Sequence, residues 1–99
     1  MSHAAIVRNV VVQSWGTPNV TVGSVNEPRE LEENGQRFNE KWVYRLSQST
    51  PDQPKERIIY WHRYDFVASY LVTSSGSAIP ENLAEVLAGR GDRRYLPGS

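Results

Sequence analysis

RIIYWHRYDFVASYLV, residues 57 to 72, is the stretch that decides the fold, with three tyrosines, a tryptophan, a phenylalanine and no glycine or proline. At a period of two, one side is Ile58, Tyr60, His62, Tyr64, Phe66, Ala68, Tyr70 and Val72. The other is Arg57, Ile59, Trp61, Arg63, Asp65, Val67, Ser69 and Leu71. A strand sends alternate side chains to opposite faces, so this pattern describes a sheet segment with one aromatic face and one mixed, basic-aromatic face. Sixteen residues is long for one strand, and a bulge or bend is expected near Tyr64 and Asp65.

Upstream, Arg37 to Leu46 alternates in the same way. Phe38, Glu40, Trp42, Tyr44 and Leu46 form one side; Arg37, Asn39, Lys41, Val43 and Arg45 form the other. The Pro-punctuated link SQSTPDQPK, residues 47 to 55, predicts that the two strands pair antiparallel. Residues 4 to 15, AAIVRNVVVQSW, are apolar on both alternations and rich in valine, which predicts a strand covered on both sides. Gly16 to Asn19 then supplies turn chemistry, and Val20 to Val25 is expected to return as a hairpin partner, with Gly23 marking a bulge. Residues 26 to 35, NEPRELEENG, read as a polar loop or one or two helical turns.

Near the C-terminus, residues 80 to 88, PENLAEVLA, carry an apolar stripe of Leu83, Val86 and Leu87 at helical spacing, with Pro80 in the first turn and Gly89 as the stop. The expected architecture is an α+β domain over residues 1–89: an antiparallel sheet of four to five strands with one short C-terminal helix. Residues 90–99, RGDRRYLPGS, are expected to form a flexible tail.

The chain of 99 residues has eleven basic and eleven acidic side chains, so no global field draws it to nucleic acid or an anionic membrane. The distribution is uneven: Glu27 to Glu33 is net acidic, whereas Arg37 to Tyr64 is net basic. No apolar run approaches the length of a membrane span, and no secretory signal pattern is visible. Those observations favour the cytoplasm. Cysteine is absent, which removes disulfides, thiolate metal sites and cysteine nucleophiles.

Two constellations carry the functional reading. In the first, pairing the apolar faces of the two central strands gives partner numbers with an even sum, which brings Glu40 opposite or diagonal to His62. A carboxylate beside an imidazole is either a general base with its orienting group or a buried polar pair satisfying its own hydrogen bonds. One histidine and one glutamate are too few for zinc, and His3 does not complete a set. In the second, Trp61, Arg63, Lys41, Val43 and Arg45 are expected to share the opposite face. Aromatic residues among arginines mark protein hot spots and also hold single-stranded nucleic acid by stacking and phosphate neutralisation.

Several short patterns fail on context. Asn19-Val20-Thr21 has glycosylation spacing, Arg90-Gly91-Asp92 is an adhesion tripeptide by letters only, and no phosphate loop, nucleophile elbow or carboxylate cluster is present. No cofactor is implied. The sequence thus favours a non-catalytic binding module contacting a protein partner or itself through the aromatic-basic hairpin. A single-stranded nucleic-acid binder on that surface is the alternative, and a small enzyme using His62 with Glu40 is the third reading.

Overall fold

The structure, a computed structural model, describes residues 3–48 and 50–88. In chain order the elements are helix α1 (His3–Trp15), strands β1 (Val20–Gly23), β2 (Leu31–Glu33), β3 (Gln36–Phe38), β4 (Glu40–Arg45), β5 (Glu56–His62), β6 (Asp65–Val72) and β7 (Ala78–Glu81), and helix α2 (Leu83–Ala88). Five strands form one antiparallel sheet in the order β1-β4-β5-β6-β7, while β2 and β3 form a separate two-stranded hairpin. This is an α+β domain. Among the described residues no helix is long and apolar enough to cross a membrane.

The N-terminal segment corrects the strand expected over residues 4 to 15: it is a helix. Its valines suit a strand by propensity, but Val7, Val11 and Trp15 recur every four residues and place one stripe against the core, where Val11 is fully buried. Tertiary packing overrides the propensity of β-branched residues, which is a weak preference. Gly16 closes the helix at φ +79°, and its N–H reaches Val12 C=O at 2.6 Å. With that segment helical, β1 pairs with β4 rather than forming a hairpin with residues 4 to 15.

The loop expected at residues 26 to 35 contains β2. Asn34 (φ 53°) and Gly35 (φ 75°) form the turn to β3, the two positive φ angles of a type I′ hairpin. Asn39 then separates β3 from β4, so the single strand expected from Arg37 to Leu46 is two. The long aromatic strand is likewise a hairpin. Residues His62 and Asp65 pair across a two-residue turn, Arg63-Tyr64, and the register shifts between Tyr60 and Trp61. At the C-terminus, Pro80 lies in edge strand β7, and α2 starts later than expected. A reciprocal cap defines that start: Glu85 N–H donates to Asn82 Oδ1 (2.8 Å) and Asn82 N–H to Glu85 Oε1 (3.0 Å). Gly89 and the expected 90–99 tail lie outside the described residues.

The register between the central strands is the decisive correction. β4 and β5 pair as Glu40↔Trp61, Trp42↔Ile59 and Tyr44↔Arg57, partner numbers with an odd sum. A slip of one residue exchanges the faces of a whole strand. Trp42 and Tyr44 therefore share a face with Ile59 and Trp61, under α1 and α2, with Val11 and Val86 completing that core. Phe38, Val43, Ile58 and Tyr60 form a second buried cluster on the opposite face, against Leu31 and Tyr70. The single buried face expected from in-phase alternation is thus two apolar layers, and burying both sides of the central strands is how this chain builds its core. The extra residue at Val67, between partners Phe66 and Ala68, turns Phe66 toward the helices while Ala68 and Tyr70 stay with Tyr60.

Gly23 does not mark the expected bulge, because β1 pairs with β4 in continuous register through Gly23↔Glu40; its backbone is special for another reason. Its φ is +73°, and a Cβ there would sit 2.1 Å from Asn39 O. Gly35 has a similar φ of +75° but open space around it. Gly35→Ala is expected to cost about 1–2 kcal/mol for the left-handed backbone alone. Gly23→Ala should cost about 1–3 kcal/mol more, because β1 must shift away from Asn39. Urea denaturation of the two variants measures the difference; equal losses would show that β1 yields freely.

Candidate functional site

The best-defined constellation gathers where β5 turns into β6. Arg8, on the inward side of α1, lays its guanidinium 4.6 Å from the Trp42 ring centroid, 5.2 Å from Trp61 and 5.4 Å from Tyr64. It forks onto Glu40, with Nη1 donating to Oε1 at 2.6 Å and Nη2 to Oε2 at 3.3 Å. Trp42 Nε1–H donates to the same carboxylate at 2.9 Å. Glu40 is thus paired with a cation, accepts three hydrogen bonds and is buried, and the flat guanidinium is held over aromatic faces as its charge and shape favour.

Beneath lies Trp61. It is fully buried, tilted against Trp42 at 4.8 Å and edge-on to Phe66 at 5.9 Å. Its Nε1 is enclosed with no hydrogen-bond partner among the described residues.

The turn above it is unusual in chemistry. Arg63 (φ 45°) and Tyr64 (φ 79°) occupy the left-handed region, which bulky side chains rarely enter. Asn39, itself buried, accepts the Arg63 backbone N–H on Oδ1 at 3.1 Å. The Arg63 guanidinium in turn donates to Val25 C=O at 2.9 Å and to Glu27 C=O at 3.5 Å. The turn is therefore tied to the loop after β1. Tyr64 stands on it 44% exposed, and His62 and Asp65 flank it.

Several expected neighbours are not brought together. His62 and Glu40 lie on opposite faces of the sheet; His62 Nε2 is 3.7 Å from Glu30 Oε1 instead. The expected acid–base pair does not assemble, because the odd-sum register places Trp61, not His62, opposite Glu40. Nor do Trp61 and Arg63 share a face with Lys41, Val43 and Arg45. Val43 is buried in the second layer. Lys41 Nζ pairs with Glu33 at 3.2 Å. Arg45, at the far end of β4, lines an open cavity of about 410 Å³ with Leu46, Lys55 and Glu56. Among the described residues no group of three or more His, Cys, Asp or Glu side chains is placed to hold a metal ion.

Arg8 and Asn39 were not singled out by the sequence, and Tyr64 was marked only as the place of a bend. The helix period of residues 7, 11 and 15 was the one signal that would have turned Arg8 inward. Comparison with known proteins finds no family model, curated protein or solved structure that matches this chain.

On the opposite face the β2–β3 hairpin folds over Tyr60 and Tyr70. Phe38 stacks on Tyr60 at 4.4 Å, the Tyr60 hydroxyl donates to Glu33, and Asn34 Nδ2 donates to the Tyr60 hydroxyl at 2.9 Å. Burial first, and the Glu33 carboxylate second, hold the Tyr60 hydroxyl well above the usual tyrosine range. It keeps its proton and acts as a structural donor, not a base. An unfolded tyrosine ionises near pH 10. The contribution of Tyr60 is therefore fully present below that pH and is lost as pH rises toward its folded value. Stability should fall above about pH 10 by up to about 1.4 kcal/mol per pH unit from this one proton. Tyr60→Phe should flatten that slope in denaturant titrations run at stepped alkaline pH.

Proposed function

We propose that this chain is a non-catalytic interaction module that contacts a protein partner, or itself, through the tip of its aromatic-basic β5–β6 hairpin. The observation that carries the reading is the Arg63-Tyr64 turn. Left-handed backbone at two bulky residues costs about 1–2 kcal/mol each, and it persists because Asn39, Val25 and Glu27 over-determine it. The result is an exposed tyrosine on a rigid platform, its ring steadied over Arg8. Rigid Tyr and Arg side chains anchor interfaces with little ordering entropy left to lose on binding. Trp61, the anchor expected from the sequence, supports this platform from below.

Affinity capture from the native host, with and without nuclease, tests the proposal. It compares the wild type with Tyr64→Ala and with Ile79→Ala, a substitution at another exposed apolar position. Loss of an anchoring tyrosine should weaken capture of the partner by about 2 kcal/mol or more, while Ile79→Ala retains it. Thermal melting of each variant separates lost binding from lost folding, and Tyr64→Phe keeps the ring over Arg8. Capture that Tyr64→Ala leaves unchanged overturns the proposal. Capture abolished by nuclease transfers the surface to nucleic acid.

A further inference from the structure

The two edges of the five-stranded sheet differ. β7 carries Pro80, which has no N–H to offer, and its Glu81 turns inward to pair with the fully buried Arg57. β1, Val-Thr-Val-Gly, has neither a charge nor a proline, and all four of its residues are exposed. Edge strands are usually blunted by lysine, proline, a cover or extreme shortness. Of these, β1 has only its length of four residues.

The direction of its free hydrogen-bonding groups follows from the ladder. Arg45 N–H meets Asn19 Oδ1, and Ser24 N–H meets Asn39 C=O. With Val20↔Val43 and Val22↔Lys41 as partners, antiparallel alternation turns the main-chain groups of Val20 and Val22 toward β4. Those of Thr21 and Gly23 then point outward, and no described residue pairs with them. Val20 and Val22, each 39% exposed, stand on one face of this edge.

We propose that β1 pairs antiparallel with β1 of a second copy of this chain, joining two five-stranded sheets into one of ten. Centred on Thr21, the pairing sets Thr21 against its own copy and exchanges hydrogen bonds between the two outward N–H and C=O groups. It also sets Val20 of each copy against Val22 of the other, a β-branched pair that favours a sheet. The strand is therefore complementary to itself about a two-fold axis, as an isologous dimer requires. A second copy fits better than a foreign strand because the edge is uncharged and the chain is net neutral. Self-association therefore meets no long-range repulsion. So short a ladder buries less than a stable dimer interface needs, and the dimer should be weak and concentration-dependent. This inference does not rest on the Tyr64 tip and uses a different surface.

Sedimentation from about 10 µM to about 1 mM should show the mass rising from monomer toward dimer. Thr21→Pro, which removes an outward N–H and leaves the β1–β4 ladder intact, should hold the protein monomeric. Tyr64→Ala should dimerise like the wild type. Because the chain has no cysteine, Thr21→Cys offers a second readout that survives if Thr21→Pro misfolds. A short bis-maleimide should link Thr21→Cys copies several-fold faster than Ser75→Cys copies, whose thiol sits in an exposed turn. A mass that stays monomeric throughout, dimers unaffected by a folded Thr21→Pro, or equal cross-linking of the two cysteine variants would each overturn the pairing.

Discussion

Trp61→Ala is expected to remove about 3–5 kcal/mol of stability, much of what a domain this size has to lose. Trp61 is fully enclosed, packed between Trp42 and Phe66 beneath the Arg8 guanidinium, and truncation would leave a cavity walled by rigid rings that cannot collapse into it. A tryptophan serving as an exposed docking anchor would behave in the opposite way, with folding unchanged and binding lost. Trp61→Phe sharpens the contrast. It retains a ring between the same neighbours and removes an indole N–H that has no partner among the described residues, so its cost should be much smaller. Urea denaturation with unchanged m-values decides the matter. A loss under about 1 kcal/mol for Trp61→Ala would place the residue outside the core.

The misreading of Trp61 shows what alternation conveys and what it leaves open. Period two identified β4, β5 and β6 as sheet segments and grouped the residues of β4 and β5 correctly, but it set Phe66 with Tyr60 and Ala68, from which the Arg63-Tyr64 turn and the bulge at Val67 separate it. It carried no information on which group of β4 faces which group of β5. Matching the more apolar sides would be right for a sheet with one wet face, but here both sides of the central strands are buried, Tyr44 and Ile59 on one and Phe38 and Tyr60 on the other. The same symmetry hid α1, whose apolar residues satisfy a helical stripe as readily as a strand apolar on both sides. Turn chemistry was readable in one place and silent in another. Asn34-Gly35 is the residue pair a type I′ turn prefers, and it lay within a stretch whose polarity suggested a loop. Arg63-Tyr64 adopts the same backbone signs with residues that disfavour them. Strand length indicated a bend near Tyr64 and Asp65, while the tight turn itself follows from tertiary ties to Asn39, Val25 and Glu27. The place of the candidate tip was legible as a bend, but its rigid left-handed geometry was not, because what makes it distinctive is a conflict between local preference and fold.

The second large effect is expected at Arg8. An ion pair on a helix surface contributes little, because water already solvates both partners. The Arg8–Glu40 pair belongs to the other class, with side chains only 15% and 6% exposed. Arg8→Met should therefore cost about 3–5 kcal/mol, since it strands the Glu40 carboxylate in an aromatic enclosure with the Trp42 N–H as its remaining partner. The methylene stem of methionine preserves much of the packing of α1 on the sheet, so the loss reports the stranded charge. Adding Glu40→Gln should restore most of the stability. A neutral amide oxygen can still accept from Trp42, and neither partner then carries an uncompensated charge. A double-mutant cycle reads this as a coupling energy of about 1–3 kcal/mol between the two sites. If Arg8→Met and Glu40→Gln instead add independently, the pair does not hold α1 to the sheet. The ring of Tyr64 would then rest on a helix that packs by its apolar stripe alone. Coupling at this pair thus bears on the proposed contact surface as well as on the fold, because the residue that neutralises Glu40 also steadies the exposed tyrosine.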